Sequence, residues 1–267
     1  MHLRYGLFYK PISFKSKISM INNIKIKSFI ILFLLSLICY SQELVGEITY
    51  KYNVKESFIN NDFLNESEDK SSKDMIEFFY RSLKNNVDII EFTLVFNKEE
   101  SFYTMNEMLT LDNDREYKSA IIFTRGKEKI YLNKHENKKL MATDTYGNFI
   151  VESEIDNFDW KITTETKQVM GYQCYKATGL ISNKKYPDVV AWFTTQIPVN
   201  IGPKNYAGLP GLILELEEGQ LIYYASKIKL NPKKKVKIKR PEKGEVVTAK
   251  KYDSIGKVAR SRFKNLK

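Results

Sequence analysis

Four carboxylates, Glu152, Glu154, Asp156 and Asp159, fall within eight residues. At that density two could act as general acid and base, or several could hold calcium. The spacing lacks the glycine and the closing bidentate glutamate of a calcium loop, so the simpler reading is a solvated turn ahead of Trp160. Asp112, Asn113 and Asp114 form a similar cluster that Arg115 and Lys118 are near enough to neutralise. Beyond residue 41 the only thiol is Cys174 and the only imidazole is His135, which lies in the polar run 133–139. A nucleophilic thiol needs a base at hydrogen-bond distance, so Cys174 reads as a small buried strand residue. One thiol forms neither an internal disulfide nor a metal site by itself, and no cofactor or metal is expected.

The stretch with the least ordinary composition is 197–216, IPVNIGPKNYAGLPGLILEL. Pro198, Pro203 and Pro210 each fix φ near −65°, while Gly202, Gly208 and Gly211 can supply positive φ or close approach, so this loop is fixed rather than flexible. Gly208-Leu209-Pro210-Gly211 suits a tight turn with Leu209 tucked inward. A phosphate cradle would open a helix and carry Lys with Ser or Thr, whereas here a Leu-rich strand follows. Gly, Leu, Pro and Ile offer no proton-transfer or nucleophilic atoms, so Gly202, Pro203, Gly208, Leu209, Pro210, Gly211, Leu212 and Ile213 read as a structural corner. The alternative is the lip of a ligand pocket or a docking loop.

Residues of this kind need a scaffold, and the composition favours sheet. Of 267 residues, 43% are hydrophobic and 13% aromatic, which excludes a disordered chain and suits pleated surfaces, where flat rings pack well. Residues 45–54 alternate as a half-buried strand does, and 89–96, 101–105, 120–124, 129–132 and 148–151 add short strand-like runs between turn clusters. Residues 71–84 carry helical spacing at Met75, Phe78, Phe79 and Leu83, after a polar stretch, 60–73, that reads as a loop. In the second half, 160–166 turns through Met170-Gly171 into 172–180. A strand at 189–195 follows, and 212–217 pairs with 221–227 across a glycine-containing turn. A Lys-rich strand at 236–239 precedes a helix capped by Thr248 and running to about Lys264. Tyr252, Ile255, Val258, Ala259 and Phe263 line one stripe of that helix. The expected fold is a single mostly antiparallel β domain, residues 42–267. Its sheet is strongly curved or half closed like a barrel, with one or two helices including a C-terminal one.

The N-terminus reads as an export signal. Lys25 and Lys27 precede an apolar run at 29–38, too short to span a bilayer, and Cys39 and Ser41 place cleavage before Gln42. Met20 is an alternative start. Acylation of Cys39 is disfavoured by Ile38, where lipoprotein signals have a small residue. Charge is distributed unevenly: residues 227–267 hold 16 Lys and Arg against three acids, a net +13, while residues 42–226 carry −8. Such a tail is expected to give weak contact with an anionic membrane surface, or else to be a solvated edge. Nucleic acid is not expected, because the Lys-Ile-Lys alternation lacks interleaved aromatics.

At Gly208-Leu209-Pro210-Gly211-Leu212-Ile213 the chain resembles the GLPGLI family of exported Bacteroidota proteins. The likeness extends to Trp160, to Gly171-Tyr172-Gln173-Cys174-Tyr175-Lys176-Ala177, to Trp192-Phe193-Thr194, and to Ile197-Pro198 through Gly202-Pro203. One departure is Lys250-Lys251, where the family often has an acid. The resemblance implies a periplasmic or secreted protein of unknown activity, with no catalytic or cofactor residues to carry over. The favoured reading is a non-enzymatic binding or carrier module for an apolar or amphipathic ligand, or for an envelope partner. The site is expected on the concave face of the sheet, and the aromatic excess, including Trp160, Trp192, Tyr206, Tyr223 and Tyr224, supports that reading. The alternative is a periplasmic hydrolase built from carboxylates and tyrosines.

Overall fold

Alternation of inward apolar and outward polar residues writes most of this structure. In strand β1, Gly46–Val54, the side chains of Ile48, Tyr50, Tyr52 and Val54 are buried, and Glu47, Thr49, Lys51 and Asn53 fall on the other face. The computed structural model describes residues 44–60, 70–107, 114–181, 189–234 and 236–264. The expected export segment with its cleavage site, and most of the polar stretch 60–73, lie outside the described residues.

After β1 come a single helical turn α1 (Ser57–Asn60), helix α2 (Lys70–Lys84), β2 (Phe92–Phe96), β3 (Glu100–Met105), helix α3 (Arg115–Thr124), β4 (Lys129–Asn133), β5 (Lys138–Thr143) and β6 (Phe149–Glu154). The second half holds β7 (Phe158–Val169), β8 (Tyr172–Ile181), β9 (Val189–Thr194), β10 (Leu212–Glu218), β11 (Leu221–Leu230), β12 (Glu245–Thr248) and helix α4 (Ala249–Lys264). All twelve strands form one sheet in the order β12-β6-β5-β4-β3-β2-β1-β11-β10-β9-β8-β7. Every pairing is antiparallel except β12 with β6.

The sheet is mostly β and open, and one short link dictates its curvature. Strands β6 and β7 lie ten inter-strand spacings apart in the ladder, which would be about 48 Å in a flat sheet. Only Ile155, Asp156 and Asn157 join them, and the four Cα steps from Glu154 to Phe158 span at most about 15 Å. The sheet therefore curls until its two ends nearly meet, with no ladder across the seam among the described residues. Register shifts at Thr49/Tyr50, Ile213/Glu215 and Ile162/Thr166 mark bulges, which bend the strands that carry them. One core fills the inward face, drawing on β1 to β4, β7 to β11 and α3.

Several elements differ from the sequence reading. Residues 120–124 were expected as strand but form the last turns of α3, because Asp114 supplies an N-cap that the strand reading did not weigh. Its carboxylate accepts from the backbone N–H of Glu116 at 2.9 Å and of Tyr117 at 3.0 Å. Tyr117, Ala120 and Ile121 then present one buried face to the core. The expected basic strand at 236–239 is not formed; that segment is a strap without ladder bonds, and the C-terminal strand is instead β12. Strand β5 had no counterpart in the sequence reading. Beside the short α1, the described helices number three rather than one or two. The Thr248 hydroxyl accepts from the Lys251 N–H at 3.3 Å and opens α4, whose Tyr252 ring packs near Tyr146 and Phe149.

Asp114→Ala removes both cap bonds while leaving the buried face intact. Stability should fall by about 1 kcal/mol, and the melting temperature by roughly 2–4 °C. Thermal unfolding followed by circular dichroism measures this directly.

Candidate functional site

The 197–211 corner is built from its own backbone. Val199 N–H donates to Ile197 O at 2.8 Å, Gly208 N–H to Asn200 O at 3.2 Å and Ile213 N–H to Ile201 O at 3.0 Å, so the loop folds back onto the start of β10. Ile197, Val199, Ile201, Leu209, Leu212 and Ile213 are buried. Gly208 has φ +96°, a region that side-chain-bearing residues avoid. Gly211 serves differently: a Cβ there would lie 2.0 Å from the Thr194 carbonyl oxygen. The corner lies against the seam of the sheet. Trp160 Nε1 donates to Ala207 O at 2.8 Å, and the Phe158 and Tyr206 rings stack at 4.8 Å between centroids. Asp156 in the β6–β7 link accepts from both Lys139 of β5 and Asn205 of the corner.

This corner also carries a charge into the interior. Lys204 sits at φ +59° and is only 4% exposed, a costly place for an ammonium unless it is paired. Its Nζ pairs with Glu218 at the end of β10, and it lies 4.3 Å from the centroid of the Tyr223 ring. Tyr206 donates to the second Glu218 oxygen at 2.9 Å, and Tyr223 donates to Thr124 O at the end of α3 at 3.2 Å. Next in chain, half-exposed Arg125 holds the left-handed C-cap of α3 and binds Glu128 through Nε and Nη2, both at 2.8 Å. The Tyr103 hydroxyl is fully buried and has no hydrogen-bond partner among the described residues.

Electrostatics lock this cluster. Burial alone would raise the Glu218 carboxyl, but Lys204, the Tyr206 hydroxyl and Arg125 outweigh it, and the net shift is downward. Burial would lower Lys204, yet Tyr223 and Glu218 reverse that and hold it above its ordinary value. Tyr206, Tyr223 and Tyr103 are all raised, chiefly by burial. Near neutral pH the pair is fully ionised and the phenols keep their protons. That is a strong structural tie and a poor proton relay.

A second feature lies on the opposite face of the sheet. Strap residues 239–243 stand off from β3, β4 and β5 and leave a groove of about 840 Å³. Lys127, Lys129, Lys239, Arg240 and Lys243 line it, with Glu107, Asp144 and Glu242, over an apolar floor that includes Phe102 and Ala142. Ile238 pins the strap by packing against the cluster of Tyr131, Leu140 and Ile150. Where the strap enters β12, Gly244 takes φ +137° and Glu245 N–H donates to Asn148 O at 3.0 Å.

The structure disperses the carboxylate group read from the sequence. Glu152 pairs with Lys138 at 3.3 Å, Asp156 is used in the seam, and Glu154 and Asp159 are exposed. Cys174 is fully buried and its thiol is pushed up to about 11, first by burial. His135 lies in an exposed turn far from it in the ladder order. Of the aromatic candidates, Tyr206 and Tyr223 belong to the core, Trp160 is tied to the corner, and Trp192 lies under Lys167 at 4.3 Å. Sequence reading missed Lys204, Glu218, Tyr103, Arg125 and Glu128. A lysine inside an otherwise apolar, proline-pinned loop was the available signal for the first.

Over residues 180–215, which contain the whole corner, the chain matches a family described as Protein of unknown function (Porph_ging). No curated protein matches it. Among solved structures it is similar to PNGF-II in two crystal forms, with TM-scores of 0.49 and 0.47 and 15% identity in each. Those similarities cover 79% of this chain and 32% of the other, so the chain spans about a third of the length of PNGF-II. A DUF1329 family protein from Desulfovibrio piger aligns with a TM-score of 0.19 and 8% identity, over 73% of this chain and 88% of that one.

Gly211→Ala forces a Cβ against the Thr194 carbonyl and should destabilise by about 1–3 kcal/mol, lowering the melting temperature by several degrees. Breaking the ionic tie should cost more. Lys204→Met or Glu218→Gln alone strands a buried partner, a loss of about 3–5 kcal/mol, while the double variant should recover much of it. Because Glu218 is depressed, its contribution is present above its unfolded value and is lost as pH falls through the folded one. Lys204 is raised, so its contribution is present below its unfolded value and is lost as pH rises through the folded one. Melting curves against pH should therefore show a flatter acid limb in Glu218→Gln than in the parent.

Proposed function

We propose that this chain is an exported envelope protein of the GLPGLI kind that works by binding rather than by catalysis. The observation that carries the reading is the groove between β3–β5 and the strap, whose volume lies within the range of about 300–1,000 Å³ usual for ligand sites and whose lining mixes apolar floor with charge. The buried polar cluster supports the same reading. Its ion pair stays charged and its phenols stay protonated near neutral pH, so the hydrolase alternative finds there no group poised to exchange a proton. Export rests on Lys25, Lys27 and the apolar run 29–38, with a mature N-terminus at Gln42 in the periplasm or beyond. The hexapeptide Gly208–Ile213 and its flanking matches support the family placement, and the Porph_ging match covers that segment.

Mass spectrometry of protein recovered from the cell envelope tests both halves. The mature chain should begin at Gln42, and under native conditions it should carry a small-molecule adduct that Ala142→Trp, which fills the groove floor, removes. An acylated Cys39 would overturn cleavage before Gln42. An adduct unaffected by Ala142→Trp, or turnover of an envelope substrate by the purified chain, would overturn the binding-groove reading.

A further inference from the structure

We infer that the groove takes an amphipathic anion, with a phosphate or carboxylate head held among Lys129, Lys239, Arg240 and Lys243 and an apolar chain laid on Phe102 and Ala142. This names the ligand class of the binding reading above and rests on it.

The topology makes the groove. β11 and β12 lie seven inter-strand spacings apart in the ladder, and residues 236–244 lead into β12 across the outside of the sheet. The strap touches down at Ile238, on Tyr131, Leu140 and Ile150, and again where Glu245 joins Asn148. Between β3–β5 and residues 239–243 it bridges open space. Phe102 and Ala142 beneath it are half-buried, apolar surface that water covers when nothing else does.

The charges around the groove are unequal and mostly unspent. Five cations and three carboxylates line it. Lys127 and Asp144 satisfy each other at 3.2 Å. Arg240 lies close enough to Tyr131 to oppose the burial and the Glu100 hydrogen bond that raise its phenol. Among the described residues, Lys129, Lys239 and Lys243 form no ion pair, and Glu107 and Glu242 are exposed on the rim. This contrasts with the interior, where Lys204 is neutralised by Glu218. An excess of unpaired cations over an apolar floor is complementary to an anion with a hydrocarbon part. A bare anion would leave the floor wet, and a neutral lipid would leave the cations without partners.

Calorimetric titration of the full exported protein with dodecyl phosphate, kept below its micelle concentration, is the test. One-to-one binding is expected. The paired substitution Lys129→Gln with Lys239→Gln should weaken it roughly tenfold without moving the melting curve, and Ala142→Trp should abolish it. Affinity should fall as salt is raised. Lys257→Gln on exposed α4, outside the groove, should leave it unchanged. Equal binding of dodecyl maltoside would overturn the anion assignment while leaving a binding groove in place. Equal binding of inorganic phosphate would overturn the amphipathic assignment in favour of a free anion. Loss of affinity in Lys257→Gln as large as in the groove variant, or attachment only to anionic vesicles, would replace the site by diffuse adhesion of the basic region. Absence of binding to all three probes would refute this ligand class; if the native adduct is absent as well, the binding reading falls with it.

Discussion

Three residues between β6 and β7 set the curvature of this sheet. A connection that short between strands at nearly opposite ends of a twelve-stranded ladder leaves no option but a sheet rolled on itself. Rolling then creates two problems. Among the described residues the ends meet without a hydrogen-bonded ladder, and the enclosed face must be filled. The 197–211 corner answers both, reaching the seam through Trp160, Tyr206 and Asn205 and placing Ile197, Ile201 and Leu209 in the core. Helix α3 supplies the remainder from its own buried face.

The ionic tie of Lys204 and Glu218 belongs to the same solution. A hydrophobic pair of similar volume could have held the corner as firmly, because desolvating two charges offsets much of their attraction. What charges add is direction: Glu218 accepts from Lys204 and Tyr206, so the corner seats in one register against β10. Two non-glycine residues in the left-handed region, Lys204 and Arg125, flank this cluster, and the backbone strain at each is held by the bonds its side chain makes. The outer face is organised differently. There the strap is pinned at few points and its charges face water.

Strands were the most legible feature of the sequence, since β1, β8, β9 and the β10–β11 hairpin advertise themselves through alternation and turn glycines. The closure was legible only as a preference for curvature, because the strand order that makes the Ile155–Asn157 link so demanding is not a local property. Residues 120–124 show the limit of composition: Ala-Ile-Ile-Phe-Thr suits a strand until Asp114 caps the turn before it. Residues 236–239 show the reverse, an alternating pattern without a neighbouring strand to receive its hydrogen bonds. The Gly-Pro corner could be seen to be rigid, but its lysine could not be paired with Glu218, which looked like one more polar residue of a hairpin turn. The groove was beyond reach, because it depends on which face of the sheet the strap crosses.

The pairing of β1 with β11 has a consequence in time rather than in space. Gly46 stands opposite Leu230, and the first strand sits at the middle of the finished sheet. A chain that emerges N-terminus first can zip β1 to β2 at once. The other side of β1 then remains an unsatisfied row of amide and carbonyl groups until nearly the whole polypeptide has followed. Contacts so distant along the chain make for slow folding, because loop-closure entropy is spent before the contacts reward it. Until β11 arrives, that edge of β1 is open to pairing with another chain.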